Sequence, residues 1–229
     1  KKAMGEARYL DDLEIPRLVY GAILRSPHAL CTVLSIDVSQ AAQVDGFLGV
    51  LLPEEVPQRR FNCSGNPPSP LLFADELILT RRPLYAGDRI AAVAAKTKEA
   101  CLLALAAIKV EYEVERPLLS IKEALAEGAT PLHPEMRPDN ELHKITASQG
   151  DVERGFAESD FVLEGDFATP AVQHVALEPT GCICDFSDGK NLTVWSTSQT
   201  PFQERRILSE LFDLPETSVR FIKPTMGGE

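Results

Sequence analysis

The order of strand-like and helix-like segments in this sequence predicts an α+β protein built in two sections. Three observations carry the prediction. "DRIAAVAAK" (88–96) is a continuous apolar run, the pattern of a strand covered on both faces. "TKEACLLALAAIK" (97–109) follows at once with strong helix formers and Thr97 as N-cap, and "VEYEV" (110–114) resumes strand character. Near the other end, "TPFQERRILSELFDLP" (200–215) reads as an amphipathic helix and "SVRFIK" (218–223) as the strand after it.

Taken in order, the first section opens with two strands rich in β-branched and aromatic residues, "LVYGAILR" (18–25) and "CTVLSID" (31–37), separated by "SPHAL". "GFLGVLLPEEVP" (46–57) predicts a short strand and a turn. "PQRRFNCSGNPPSPL" (57–71) is a loop, since its prolines cannot sit in a central strand. The strand, helix and strand over 88–114 fit a right-handed crossover returning to the same sheet. "SIKEALAEG" (120–128) predicts a short helix, with Ser120 and Glu123 as a capping box and Gly128 as its stop. From Ala129 to about Ser148 the composition shifts to proline and polar residues, which marks a connector.

The second section begins near Gly150. Asp151 to Phe156 reads as a short helix, and "DFVLEGDFAT" (160–169) alternates like a strand. "GCICDFSDGKNLTVWSTS" (181–198) is a hairpin, its Asp188-Gly189 pair tolerating the positive φ of a tight turn. In the helix that follows, Thr200 is the N-cap, Pro201 takes the first helical position and Gln203 completes a capping box. Ile207, Leu208, Leu211 and Phe212 form its apolar face.

Composition narrows the function classes. A chain of 229 residues can hold one large domain or two small ones, and 44% apolar with 25% charged residues is ordinary for a globular protein. The net charge of -11 argues against nucleic acid, whose phosphates call for a basic stripe. No apolar run is long enough to cross a bilayer, and the opening "KKAMGEARYLDD" lacks the apolar core of a signal peptide. Five cysteines (Cys31, Cys63, Cys101, Cys182 and Cys184) make no even framework, which fits a reducing cytoplasm. Cys182 and Cys184 would share one strand face, where core packing is a commoner role than metal binding.

Few residues stand out chemically. Gln199 lies between a strand end and a helix N-cap, where unpaired backbone N–H groups and the helix dipole favour electron-rich ligands. The same position is common for a solvated turn residue. Gly227 and Gly228 follow the next strand, and adjacent glycines let a backbone approach a ligand or simply turn tightly. One strand–helix–strand unit would bring both places to the same sheet edge. His174 and Glu178 in "QHVALEP" share a face whether helical or extended, but no third ligand completes a metal set. Ser26 and His28 lack an orienting acid, so "RSPHA" reads as a turn. His133 and His143 read as linker surface. No Walker loop, G-x-G-x-x-G or H-E-x-x-H occurs.

Several motifs in sequence order resemble the N-terminal part of the molybdenum-binding subunit of the xanthine dehydrogenase/aldehyde oxidase/carbon monoxide dehydrogenase family. They are "GEARYLDD" (5–12), "RSPHALCTVLSID" (25–37), "YAGDRIAAVAAKTKEAC" (85–101) with "IKVEYE" (108–113), "GDVERGFAESDFVLEG" (150–165), "QHVALEP" (173–179) and the stretch from Ser196 to Glu229. The resemblance implies a hammerhead-like α/β domain over residues 1–130, a connector over 131–149, and over 150–229 the first part of an α+β molybdopterin-binding domain. It also implies a molybdenum centre on molybdopterin, with the cytosine dinucleotide form among the options. That centre would hydroxylate an N-heterocycle or aldehyde with water as oxygen source. Iron–sulfur (2Fe-2S) and FAD subunits or domains would carry the electrons away, and the full subunit would pair with a second copy.

On that resemblance Gln199 falls on the glutamine that hydrogen-bonds a molybdenum oxo group. Gly227 and Gly228 match the start of the family's "G-G-G-F-G-G-K-E" loop. The phenylalanine is not there, so Glu229 is the family's glutamate only if the intervening loop is missing; otherwise it is an unrelated residue. The resemblance further implies that the 229 residues alone neither hold the cofactor nor turn over substrate. The alternative, from a different class, is a non-catalytic subunit-interaction module of the same fold.

Overall fold

The structure is a computed structural model that describes residues 2–63 and 73–228. Its first section holds strands β1 (Tyr20–Arg25), β2 (Cys31–Asp37), β3 (Phe47–Leu51) and β4 (Arg89–Ala95), helix α1 (Lys98–Ala107) and strand β5 (Lys109–Val114). Two short helices follow, α2 (Ile121–Ala124) and α3 (Val152–Ala157). The second section holds strands β6 (Cys182–Asp185) and β7 (Leu192–Ser196), helix α4 (Pro201–Phe212) and strand β8 (Val219–Ile222).

In the first section β4 is the middle strand of an antiparallel sheet in the order β1-β4-β3. Its run of Ile90, Ala91, Val93 and Ala95 is buried, as the unbroken apolar pattern predicts. The small side chains have a packing reason. Helix α1 lies against β4 through Ala95, Ala100 and Cys101, and through Val93, Ala104 and Ile108, so the two elements approach closely. The Thr97 side chain accepts the Ala100 amide at 3.1 Å, which starts the helix where the sequence places its cap.

The crossover onto the same sheet does not occur. Both edges of β4 are already taken by β1 and β3, and β5 instead pairs antiparallel with β2, from Cys31↔Val114 to Asp37↔Lys109. The other edge of β2 is not left bare, because Cys31 and Val33 donate to the Pro83 and Arg81 carbonyls. Helix α2 is also shorter than the sequence suggests. Ser120 accepts the Glu123 amide, but Glu123 turns to the Leu119 amide rather than that of Ser120, and the helix stops before Gly128.

In the second section β6 and β7 form the predicted hairpin. Asp188 Oδ1 accepts the Lys190 and Asn191 amides at 2.7 Å each, and Gly189 takes φ +66°. Strand β8 adds to β7 in parallel, with α4 as the crossover and Leu192, Val194 and Val219 as the core. One expectation fails here. Residues 160–169 form no strand: no partner strand lies beside them among the described residues, and Phe161, Leu163 and Phe167 are exposed. Phe212 shares an apolar cleft with Ile207, Leu208 and Leu211, yet it stands 45% exposed while Ile207 and Leu211 are buried.

The close approach of α1 to β4 is testable. Ala104 is fully buried, so Ala104→Leu is expected to lower stability by about 1–3 kcal/mol in chemical denaturation. Leu103→Ala, at a 61% exposed neighbour, should stay within about 0.5 kcal/mol.

Candidate functional site

Parallel pairing brings the two candidate positions to one edge. Leu192 pairs with Val219 and Trp195 with Ile222, so both strands leave the sheet at the same carboxyl end. Open α/β sheets take their ligands at that end. From β7 the chain passes through Thr197 and Ser198, both buried, to the exposed Gln199, and then into α4.

The bend is made by Ser198. Its hydroxyl accepts the Thr200 amide at 2.9 Å and is hydrogen-bonded to the Glu204 carboxylate. Ser198 therefore ties the turn before α4, and the capping box expected from Thr200 and Gln203 is not formed: Thr200 makes no side-chain cap. Gln203 is buried instead, and its Nε2 donates to the Cys63 carbonyl at 2.8 Å, fastening α4 to the first section. The Arg59 guanidinium donates to the Glu210 carbonyl as a second fastening.

From β8 the chain runs through Lys223 to the glycine pair. Gly227 donates its amide to Glu178 Oε2 at 2.5 Å, and a Cβ there would lie 2.8 Å from Glu178 Cβ. Gly228 has φ +135°, and a Cβ on it would lie 3.0 Å from Ala176 Cβ. Both glycines are thus demanded by the chain's own packing. Glu178 Oε1 also accepts the Leu10 amide at 3.4 Å, and Lys2 Nζ donates to the Met226 carbonyl at 3.2 Å. Glu178 therefore serves structurally, as its lack of further ligand partners in the sequence suggests, while His174 stays exposed.

Glu229 lies outside the described residues. Among the described residues no group of three or more His, Cys, Asp or Glu could hold a metal ion. The candidate groups at this edge are a neutral carboxamide and glycine backbone, which add no charge, and the Gly227 amide is already spent on Glu178. Ser26 and His28 form the turn that the sequence suggests: Ser26 Oγ donates to the His28 carbonyl and accepts the His28 amide.

Two family profiles divide the chain between them. Residues 4–116 match the aldehyde oxidase and xanthine dehydrogenase a/b hammerhead domain, and residues 132–229 match the molybdopterin cofactor-binding domain. The chain belongs to the aldehyde oxidase and xanthine dehydrogenase family and carries an α+β hammerhead domain with molybdopterin-binding sequence after it. It is 35% identical to a probable xanthine dehydrogenase subunit of Bacillus subtilis (strain 168), over 99% of this chain and 29% of that protein. It is 31% identical to the nicotinate dehydrogenase large molybdopterin subunit of Eubacterium barkeri, over 100% of this chain and 52% of that protein. Among solved structures, carbon monoxide dehydrogenase from Oligotropha carboxidovorans superposes with a TM-score of 0.81 at 26% identity, over 99% of this chain and 30% of that one. The chain therefore spans under a third of the first of these relatives and about half of the second.

Two clefts bear on the remaining candidate residues, the smaller of them reaching Ser196 and Glu204 beside this edge. The larger, about 1020 Å³, is lined in part by Arg81, Arg82, Arg89, Tyr85 and His133. Its arginines are neutralised by Glu54, Glu115 and Glu76 respectively. His133 is thus not linker surface. It is half-buried with its ring edge-on to Phe73 at 5.5 Å, and burial lowers its pKa. His143 remains exposed.

The smaller cleft, about 640 Å³, is apolar and brings Cys182, Cys184 and Cys63 together between β6 and α4. Cys182 and Cys184 do share one face, but they are exposed rather than core; the cysteines that pack inside are Cys31 and Cys101. No local signal links Cys63 to the pair, because it arrives from a loop more than a hundred residues earlier. A hydrogen bond from Cys184 lowers the Cys182 thiol to about 7 and raises that of Cys184. Burial and the nearby Glu76 raise Cys63 to about 11. The thiolate is the reactive form, so iodoacetamide at pH 7.5 should label Cys182 well before Cys63. Cys184→Ala should slow labelling of Cys182, as peptide mass spectrometry would read; equal rates at Cys182 and Cys63 would refute this ordering.

Proposed function

We propose that this chain supplies the front part of the large subunit of a molybdenum hydroxylase. Residues 1–130 act as the hammerhead-like domain, 131–149 as connector and 150–229 as the first part of the molybdopterin-binding domain. The observation that carries this reading is the parallel β7–α4–β8 unit. It sets Gln199 and the Gly227–Gly228 pair at one sheet edge, within residues that match a molybdopterin cofactor-binding domain.

In this reading the Gln199 carboxamide would hold the bound centre by a hydrogen bond to an oxo oxygen and would add no charge to a site that must accommodate a change of two electrons. The exposed bend after Ser198 holds that amide at the mouth of α4, and the Ser198–Glu204 contact keeps the bend in place. Gly227 and Gly228 would add backbone to the same edge, held in place by Glu178 and Ala176. Glu229, if it corresponds to the family's glutamate, would face substrate. When bound, the molybdenum–pterin group supplies two-electron oxidation, in which a C–H compound and water give the hydroxylated compound, two protons and two electrons.

The electrons would leave through 2Fe-2S and FAD partner subunits or domains, and the pterin would be molybdopterin or its cytosine dinucleotide. An N-heterocycle or aldehyde is the substrate class, and the likeness to proteins named for xanthine and nicotinate favours the heterocycle. A cytoplasmic location and a paired large subunit complete the proposal. No helix among the described residues is long and apolar enough to cross a membrane.

The test uses the full-length gene product with its partners. Gln199→Ala is expected to lower kcat about a hundredfold, the cost of removing one preorganised donor, while elemental analysis still finds stoichiometric molybdenum. Unchanged kcat would remove Gln199 from the site. Wild-type protein without molybdenum would sink the enzyme reading and favour a non-catalytic subunit-interaction module.

A further inference from the structure

We infer that Glu178 is a positioning residue: its carboxylate sets the place of the Gly227–Gly228 turn and couples that turn to the N-terminal segment. The inference rests on the reading of the β7–β8 edge as a cofactor edge, and it names a residue that touches neither cofactor nor substrate.

The geometry is specific. One oxygen of Glu178 takes the Gly227 amide at 2.5 Å and the other takes the Leu10 amide at 3.4 Å. These donors lie 49 residues after Glu178 and 168 residues before it. A short hydrogen bond to a carboxylate is roughly twice as strong as a neutral one, so the Gly227 bond is the stronger of the two, and the longer Leu10 bond brings a third segment to the same side chain. Sterics reinforce it. A Cβ at Gly227 would meet Glu178 Cβ at 2.8 Å and Tyr9 Cε1 at 3.4 Å, so the turn is seated against both the carboxylate arm and the N-terminal segment. On the other side of the pair, Ala176 fills the space that a Gly228 Cβ would need. Lys2 adds its bond to Met226 from the same N-terminal segment.

Regular secondary structure does little to hold two of these segments. Residues 160–177 form no strand or helix, and the residues from Lys223 onward leave the sheet after β8. The carboxylate, with the Lys2–Met226 bond and the Ala176 contact, therefore sets where the glycine turn sits beyond the end of β8. Glutamine at 178 would keep the shape but turn one acceptor into a donor, so one of the two amides would face a donor. Alanine would release both.

Amide hydrogen exchange by peptide mass spectrometry on the full-length holoenzyme tests the inference, alongside turnover. In Glu178→Ala, exchange is expected to rise about tenfold at Gly227 and at Leu10 together, with peptides from β4 and α1 unchanged. In the same variant kcat should fall while KM for substrate and molybdenum content hold, because the turn moves without the pocket being lost. Glu178→Gln should fall between wild type and alanine in both readouts, and it carries the test if the alanine variant does not fold. Unaltered exchange at either amide overturns the inference. So does raised exchange with unchanged kcat, which would leave Glu178 a structural clasp only. Wild-type protein without molybdenum overturns the cofactor reading itself and the positioning role with it, while the exchange result still decides whether the clasp exists.

Discussion

The parallel register of β7 on β8 is the constraint on which the candidate site depends. Leu192 and Val194 of β7 and Val219 and Phe221 of β8 face one side, where Ile207, Leu208 and Leu211 of α4 close over them. Because side chains alternate along a strand, a slip of one residue would turn Arg220 into that layer and Val219 out of it. The apolar layer thus locks the register. The register in turn sets the height at which each strand ends, and so where Gln199 and the glycine pair emerge. Chemistry at the edge is inherited from packing beneath it.

The two sections are joined at points that bear on the same edge. Gln203 is buried one turn into α4 and spends its amide on the Cys63 carbonyl. Losing that partner would leave a buried donor unsatisfied, at a cost of about 1–3 kcal/mol, so α4 is held to the first section as well as to its own sheet. Leu10 reaches the other end of the edge through Glu178. The hammerhead domain therefore contributes to where the second section's helix and glycine turn sit, beyond its own fold.

What could be read in the sequence divides along physical lines. Local signals held: Thr97 caps α1, Asp188-Gly189 closes the hairpin, and the helix and strand at 200–222 stand where their periodicity puts them. Choices that depend on distant partners did not. The β4–α1–β5 order looks like a crossover until β1 and β3 occupy both edges of β4. The alternation in 160–169 is that of a strand, yet a strand requires a neighbour, and none of the described residues offers one. Gln203 fits a capping box by spacing, but the Cys63 carbonyl from the first section competes for it more effectively. The gathering of Cys63 with Cys182 and Cys184 is a tertiary fact with no trace in local spacing. Gln199 was legible as a position at a strand–helix junction; its chemical meaning came from the resemblance.

That division changes how the two halves of the edge should be weighed. A glycine pair beside a proposed cofactor invites the explanation that the ligand needs the room. Here the room is already taken, by Glu178 at one glycine and Ala176 at the other, so the pair would be required with no ligand at all. A damaging Gly227→Ala substitution is consequently ambiguous evidence for a cofactor. Gln199 stands differently: it is exposed, and the Ser198–Glu204 contact and the Thr200 amide bond that shape its bend are made by other residues. The glycines report on how the edge is built, so the proposed cofactor role is tested at the glutamine.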